Sequence, residues 1–194
     1  MTRKAARNAA DYPLPMPIGL SRKAVYEIGN DAADLFGMGS SGMPPDEALE
    51  QLEEIVARLG GDIIRLGFAE LTAQEMRVGS IEIHSEEEFD IYLLDEVGMG
   101  PIAARETLAH ELGHYILHHP LSDDGTLRAN HMGEGPSQQA ENEATWFAEA
   151  LLLPDAALRD AAQKTNAAKV LARIFCVSEA TVRNRARALD VKVS

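Results

Sequence analysis

Five consecutive residues, His110-Glu111-Leu112-Gly113-His114, carry two imidazoles and a carboxylate in the order H-E-x-x-H. They sit in an apolar segment opened by Pro101 and running to His118. On a helix, residues four apart lie one turn apart on the same face, so both imidazoles project to one side. Two ring nitrogens placed that way reach a single zinc ion at about 2.0–2.1 Å each. Glu111 falls roughly 100° round the helix, beside the ion rather than on it, where it can take a proton from water. Six His and nineteen Glu occur in 194 residues. Chance then yields the pattern about 0.02 times, so the motif alone is a hypothesis that context must support.

The competing reading is a buried helix with two hydrogen-bonded core histidines. The helical wheel weighs against it. Ala103, Thr107, His110, His114 and His118 share one side, and Leu108, Ala109, Leu112 and Ile116 take the other. A helix apolar over most of its circumference is a central one. Histidines stacked on its remaining polar stripe need a partner there, and a metal supplies it.

Catalytic zinc takes three protein ligands and keeps one position for water, so a later element must offer a third group. Ser137 to Leu153 reads as a helix, capped by Ser137 and stopped by Pro154. Its apolar stripe is Ala140, Ala144, Phe147, Ala148, Leu151 and Leu152. Glu141 lies about 60° from the centre of that stripe and Glu143 about 100° on the other side. Asn142 and Glu149 face away. Glu141 leans further toward the core and is the stronger candidate ligand, with Glu143 the alternative. Either is also an ordinary first-turn acid favoured by the helix dipole.

The remaining elements must position these groups. Residues 1–20 form a loose arm, with proline at every second position from Pro13 to Pro17. Ser21 caps a helix to Phe36, and Asp46 opens another that ends before Gly60-Gly61. Strands follow at Ile63–Leu66, Val78–His84 and Phe89–Leu94. Glu86-Glu87-Glu88 makes a solvated turn between the last two. The 89–94 strand is a candidate to lie along the cleft and pair with an extended substrate. Asp95 to Gly100 connects to the central helix, whose first position suits Pro101. Leu121 to Pro136 is a polar loop. Beyond Pro154, a short helix over Asp155 to Lys164 precedes a helical pair, Ala167–Phe175 and Ser178–Leu189, turning at Cys176-Val177. The expected class is α+β, a small mostly antiparallel sheet packed on the central helix, with a helical C-terminal segment at 164–194.

These segments resemble the ImmA/IrrE family of metallo-endopeptidases, a cytoplasmic, gluzincin-like group. The likeness rests on His110-Glu111-Leu112-Gly113-His114 and on Glu141-Asn142-Glu143-Ala144-Thr145-Trp146-Phe147-Ala148 followed by Leu151-Leu152-Leu153-Pro154. It covers roughly residues 45–190. The resemblance implies a zincin-like domain over 21–163, Zn2+ on His110, His114 and Glu141, and Glu111 as catalytic base. It also implies a protein substrate, such as a neighbouring transcriptional repressor or a toxin–antitoxin or phage regulator. Thr145 stands where the family has Asn or Asp, and residues 104–108 match its Arg-x-x-Phe-x-x-Ala lead-in only in part. For a second donor to the oxyanion, His118, Tyr115, His131 and Tyr92 are the candidates. His118 and His119 also suit the helix C-terminus as a pair interacting with its dipole.

Composition narrows the alternatives. The net charge of −13 disfavours a general nucleic-acid or anionic-membrane binder. No stretch approaches the ~20 apolar residues of a membrane span, and 1–10 lacks the apolar run of a secretory signal. The single Cys176 excludes an internal disulfide and reads as a buried hydrophobe in a reducing, cytoplasmic setting. Against this background, 160–194 carries seven basic and three acidic side chains, +4, leaving −17 elsewhere. Its helical pair resembles a helix-turn-helix, so Arg183 and Arg185 could contact DNA; docking on the acidic body is the favoured reading. A zinc-stabilised interaction module without turnover is the other rival.

Overall fold

The computed structural model describes residues 16–39, 42–67, 79–85, 87–94, 100–117 and 136–194. The arm before Met16, Val78, Glu86, the 95–99 connection and the loop from Leu121 to 135 fall outside the described residues.

Helix α1 (Arg22–Phe36) starts where expected. The Ser21 hydroxyl accepts from the Ala24 amide at 3.2 Å, and Gly37 closes the helix at φ 67°, a left-handed conformation suited to glycine. Helix α2 (Pro45–Arg58) begins one residue before Asp46 and has no side-chain cap. Proline opens it, and Asp46 and Glu47 complement its dipole.

Strands β1 (Gly61–Leu66), β2 (Gly79–Ser85) and β3 (Glu88–Leu94) form one sheet in the order β1-β3-β2. β2 runs antiparallel to β3, whereas β1 runs parallel to it. The class is α+β, as the element pattern implies; the pairing is one ladder of each kind. β3, although last in sequence, is the central strand. Its backbone is paired on both sides, so it cannot also pair with a substrate, and the edge next to the central helix belongs to β2. Ile81, Ile83, Phe89, Ile91 and Leu93 are buried on the inner face, with Leu52, Ile55, Val56, Leu108 and Leu112 of the covering helices in the same core.

Helix α3 (Pro101–Ile116) is the central helix, and α2 and α4 (Pro136–Leu152) pack beside it. α4 begins one residue before Ser137, and α1 packs on its far side. Helices α5 (Asp155–Lys164), α6 (Ala168–Phe175) and α7 (Glu179–Ala188) complete the chain. Cys176 is buried and ends α6 at φ 52°, and Ser178 caps α7. No helix among the described residues is long and apolar enough to cross a membrane.

Candidate metal centre

The close approach of α3 and α4 builds the site. Gly113 faces the Ala144 backbone so tightly that a Cβ there would lie 2.8 Å from the Ala144 carbonyl oxygen and 2.9 Å from its Cα. A side chain at 113 would hold the helices apart, and Glu141, one turn before Ala144, would move with α4. At this spacing Glu141 Oε2 lies 3.1 Å from His110 Nε2, and Glu141 Oε1 lies 3.5 Å from His114 Nε2. The imidazoles meet edge to face, with centroids 4.9 Å apart.

The donor set fits a small divalent cation. One ligand atom each from His110, His114 and Glu141 lies within 4.8 Å of the others. Ligands about 2.0–2.1 Å from one tetrahedral ion stand roughly 3.3 Å apart, and the two separations between histidine and Glu141, 3.1 and 3.5 Å, straddle that value. His114 is fully buried. Desolvation pushes its pKa below the usual imidazole value, against the opposing pull of its bond to Glu141, and so favours the neutral form that ligates metals. Nδ1 of His110 lies 3.3 Å from the Thr145 hydroxyl. With Nε2 ligating a metal, Nδ1 would carry the proton and could donate to Thr145, an orienting contact from the position where the resembling family has Asn or Asp.

Glu111 lies beside this cluster and is fully buried. Its carboxylate rests against the start of β2, where a Cβ on Gly79 would lie 3.0 Å from Glu111 Oε1 and 2.3 Å from Thr107 Cγ2. The angular expectation for Glu143 does not hold. Glu143 is more deeply buried than Glu141, yet it serves the other side of α4, accepting from the Ile18 and Gly19 amides at 3.0 and 3.1 Å and from Gln139 at 3.1 Å. Glu149 also departs from its expected outward orientation. It is buried and accepts from the Tyr26 hydroxyl at 2.7 Å, because α1 covers the face that α4's own stripe leaves polar.

Of the groups considered as oxyanion donors, Tyr115 stacks on Phe89 with centroids 4.1 Å apart. Tyr92 alternates with Ile91 and Leu93, so it faces away from α3, donating to Glu82 at 3.1 Å. His118, His119 and His131 lie outside the described residues. Of the two arginines weighed as DNA contacts, Arg183 is exposed and Arg185 is fully buried.

Sequence reasoning missed Gly79, whose signal was only a glycine opening a strand, and the buried Arg105 and Arg185, which nothing in their own helices' periodicity reveals. No curated protein matches the chain. Among solved structures, a Mycobacterium tuberculosis transcriptional regulator shares its fold at a TM-score of 0.51 and 20% identity, over 84% of this chain. This chain spans 50% of that one's length. A family model, Peptidase_M78, described as the IrrE N-terminal-like domain, matches residues 94–187. That segment contains α3, α4 and all four residues of the candidate centre, so the ImmA/IrrE resemblance and the match agree: residues 94–187 match the Peptidase_M78 family's IrrE N-terminal-like domain.

Proposed function

We propose that this chain is a zinc-dependent endopeptidase acting on a protein substrate in the cytoplasm, with His110, His114 and Glu141 as metal ligands and Glu111 as catalytic base. The observation that carries this reading is the convergence of two imidazoles and a carboxylate from two helices, with a second, buried carboxylate alongside. Structural zinc sites close their coordination with four protein ligands, whereas three with a neighbouring acid, the set found among the described residues, is the catalytic pattern.

Zinc held there supplies Lewis-acid polarisation of a peptide carbonyl and a water acidic near neutrality. The chain's own residues do the rest. Glu111 accepts the proton of the attacking water on its carboxylate and passes it to the leaving amine. The β2 backbone against that carboxylate fixes its direction, and the Thr145 contact fixes the His110 ring. The substrate class is a regulatory protein such as a repressor or a toxin–antitoxin partner.

The test is metal analysis of purified protein together with incubation against the product of a neighbouring regulatory gene, wild type beside Glu111→Gln. The proposal expects bound zinc in both and cleavage only by wild type. A Glu111→Gln variant that performs the biological role unchanged would establish instead a zinc-stabilised interaction module.

A further inference from the structure

Helix α7 is tied to both helices that carry the candidate ligands. At its start, Glu106 of α3, one turn before His110, accepts from the Ser178 amide at 2.7 Å and from the Thr181 hydroxyl at 2.6 Å. The adjacent Arg105 is buried and donates to the carbonyls of Phe175 at 2.8 Å and Cys176 at 3.1 Å. Two consecutive α3 residues therefore hold both sides of the α6–α7 turn. At its middle, α7 sends Arg185 to the end of α4. The fully buried guanidinium donates to the Leu153 carbonyl at 3.2 Å, pairs with Asp155, and stacks 3.9 Å over the Tyr26 ring. Tyr26 in turn donates to Glu149 of α4.

α3 and α4 also meet at Gly113 and Ala144. A contact of that kind fixes separation well and rotation poorly, because a glycine offers no side chain to interlock. Glu106 and Leu153 add two further anchor points joined by one rigid helix. Buried charges such as Arg105 and Arg185 are often replaceable by apolar side chains of similar volume without loss of stability; the role they can retain is specifying one geometry.

We infer that α7 is a brace that sets the alignment of α3 against α4, with Glu106 and Arg185 as positioning residues for the metal ligands. The inference rests on the metal-centre reading above. The same anchoring leaves the first turn of α7 engaged by α3 rather than open to a major groove.

The test is zinc affinity, measured by competition with a chromophoric chelator on full-length protein at a temperature where circular dichroism shows each variant folded. Glu106→Ala and Arg185→Met should each weaken zinc binding about 10-fold, the low end of what loss of an orienting contact costs a metal site. Glu106→Gln keeps an acceptor oxygen and should restore wild-type affinity, and Arg183→Ala, on the exposed side of α7, should leave it unchanged. Should the first two not fold, Thr181→Val removes only the hydroxyl that bonds Glu106 and Ser178 and must still weaken binding at least about twofold. Folded variants with wild-type affinity overturn the brace alone. A wild type that binds no zinc overturns both the brace and the metalloenzyme reading.

Discussion

Replacing Gly113 by alanine isolates the contact on which the proposed centre depends. The new Cβ would sit 2.8 Å from the Ala144 carbonyl oxygen and 2.9 Å from its Cα, where ordinary contact begins at 3.4 Å. Both neighbours are helical backbone and cannot rotate away, so α4 must retreat by about 0.5–0.6 Å. Metal–ligand distances tolerate about 0.2 Å either way. Glu141 travels with α4 while His110 and His114 stay on α3, so the carboxylate leaves that tolerance. Zinc affinity should fall about 10–100-fold, the range seen when a metal site loses its supporting geometry. Overpacking should also lower stability by about 1–3 kcal/mol. The measurement is chelator competition on folded Gly113→Ala, with Gly100→Ala as control. Gly100 caps the same helix, and a Cβ there meets nothing within 4 Å. Gly113→Ala binding zinc within twofold of wild type would refute the claim that this contact sets the ligand distances.

Glu111→Gln should keep full zinc occupancy while cleavage drops at least about 10²–10⁴-fold, the usual contribution of a general base; loss of metal in this variant would make Glu111 a ligand. Gly79→Ala forces a methyl toward Glu111 and Thr107 and should slow cleavage with zinc retained, and adding Thr107→Ser, which removes the closest clash, should recover part of the rate. Chelation should lower the melting temperature, since a ligand present at 1,000 times its Kd stabilises the native state by about 4 kcal/mol; identical melting with and without chelator would argue against a bound metal. Burial and the neighbouring Glu149 raise the Tyr26 pKa from 10.0 to about 12. The folded state therefore holds that proton more tightly than the unfolded chain, and the associated stability, intact below pH 10, is lost between about 10 and 12. Wild type should lose stability more steeply than Tyr26→Phe in that window, as read by urea unfolding.

The local part of the site was legible because its spacing is local. His110, Glu111 and His114 share one helix, and 3.6 residues per turn fixes their relative directions. Glu141 could be ranked above Glu143 but not separated from it by periodicity, because burial of Glu143 comes from Ile18 and Gly19, far away in sequence. The inward turn of Glu149 has the same origin in α1. Strand alternation revealed which residues of β3 face the core, yet not that β3 is central, since strand order depends on a parallel pairing between β1 and β3 that no residue pattern encodes. Arg185 reads in sequence as a possible DNA contact and Arg105 as part of an incomplete lead-in; their burial was not legible because it depends on main-chain carbonyls, which carry no sequence signal.

The grip of Glu143 on Ile18 and Gly19 bears on how the molecule can be trimmed or tagged. Neighbours two apart on a helix point about 200° from each other, so this grip is on the back of α4 relative to Glu141. A label attached at the exposed Met16 would sit two residues from a point fixed behind the ligand cluster. Trimming past Gly19 would instead remove two main-chain donors from an interior carboxylate, and the resulting protein should melt earlier even though every proposed ligand is still present.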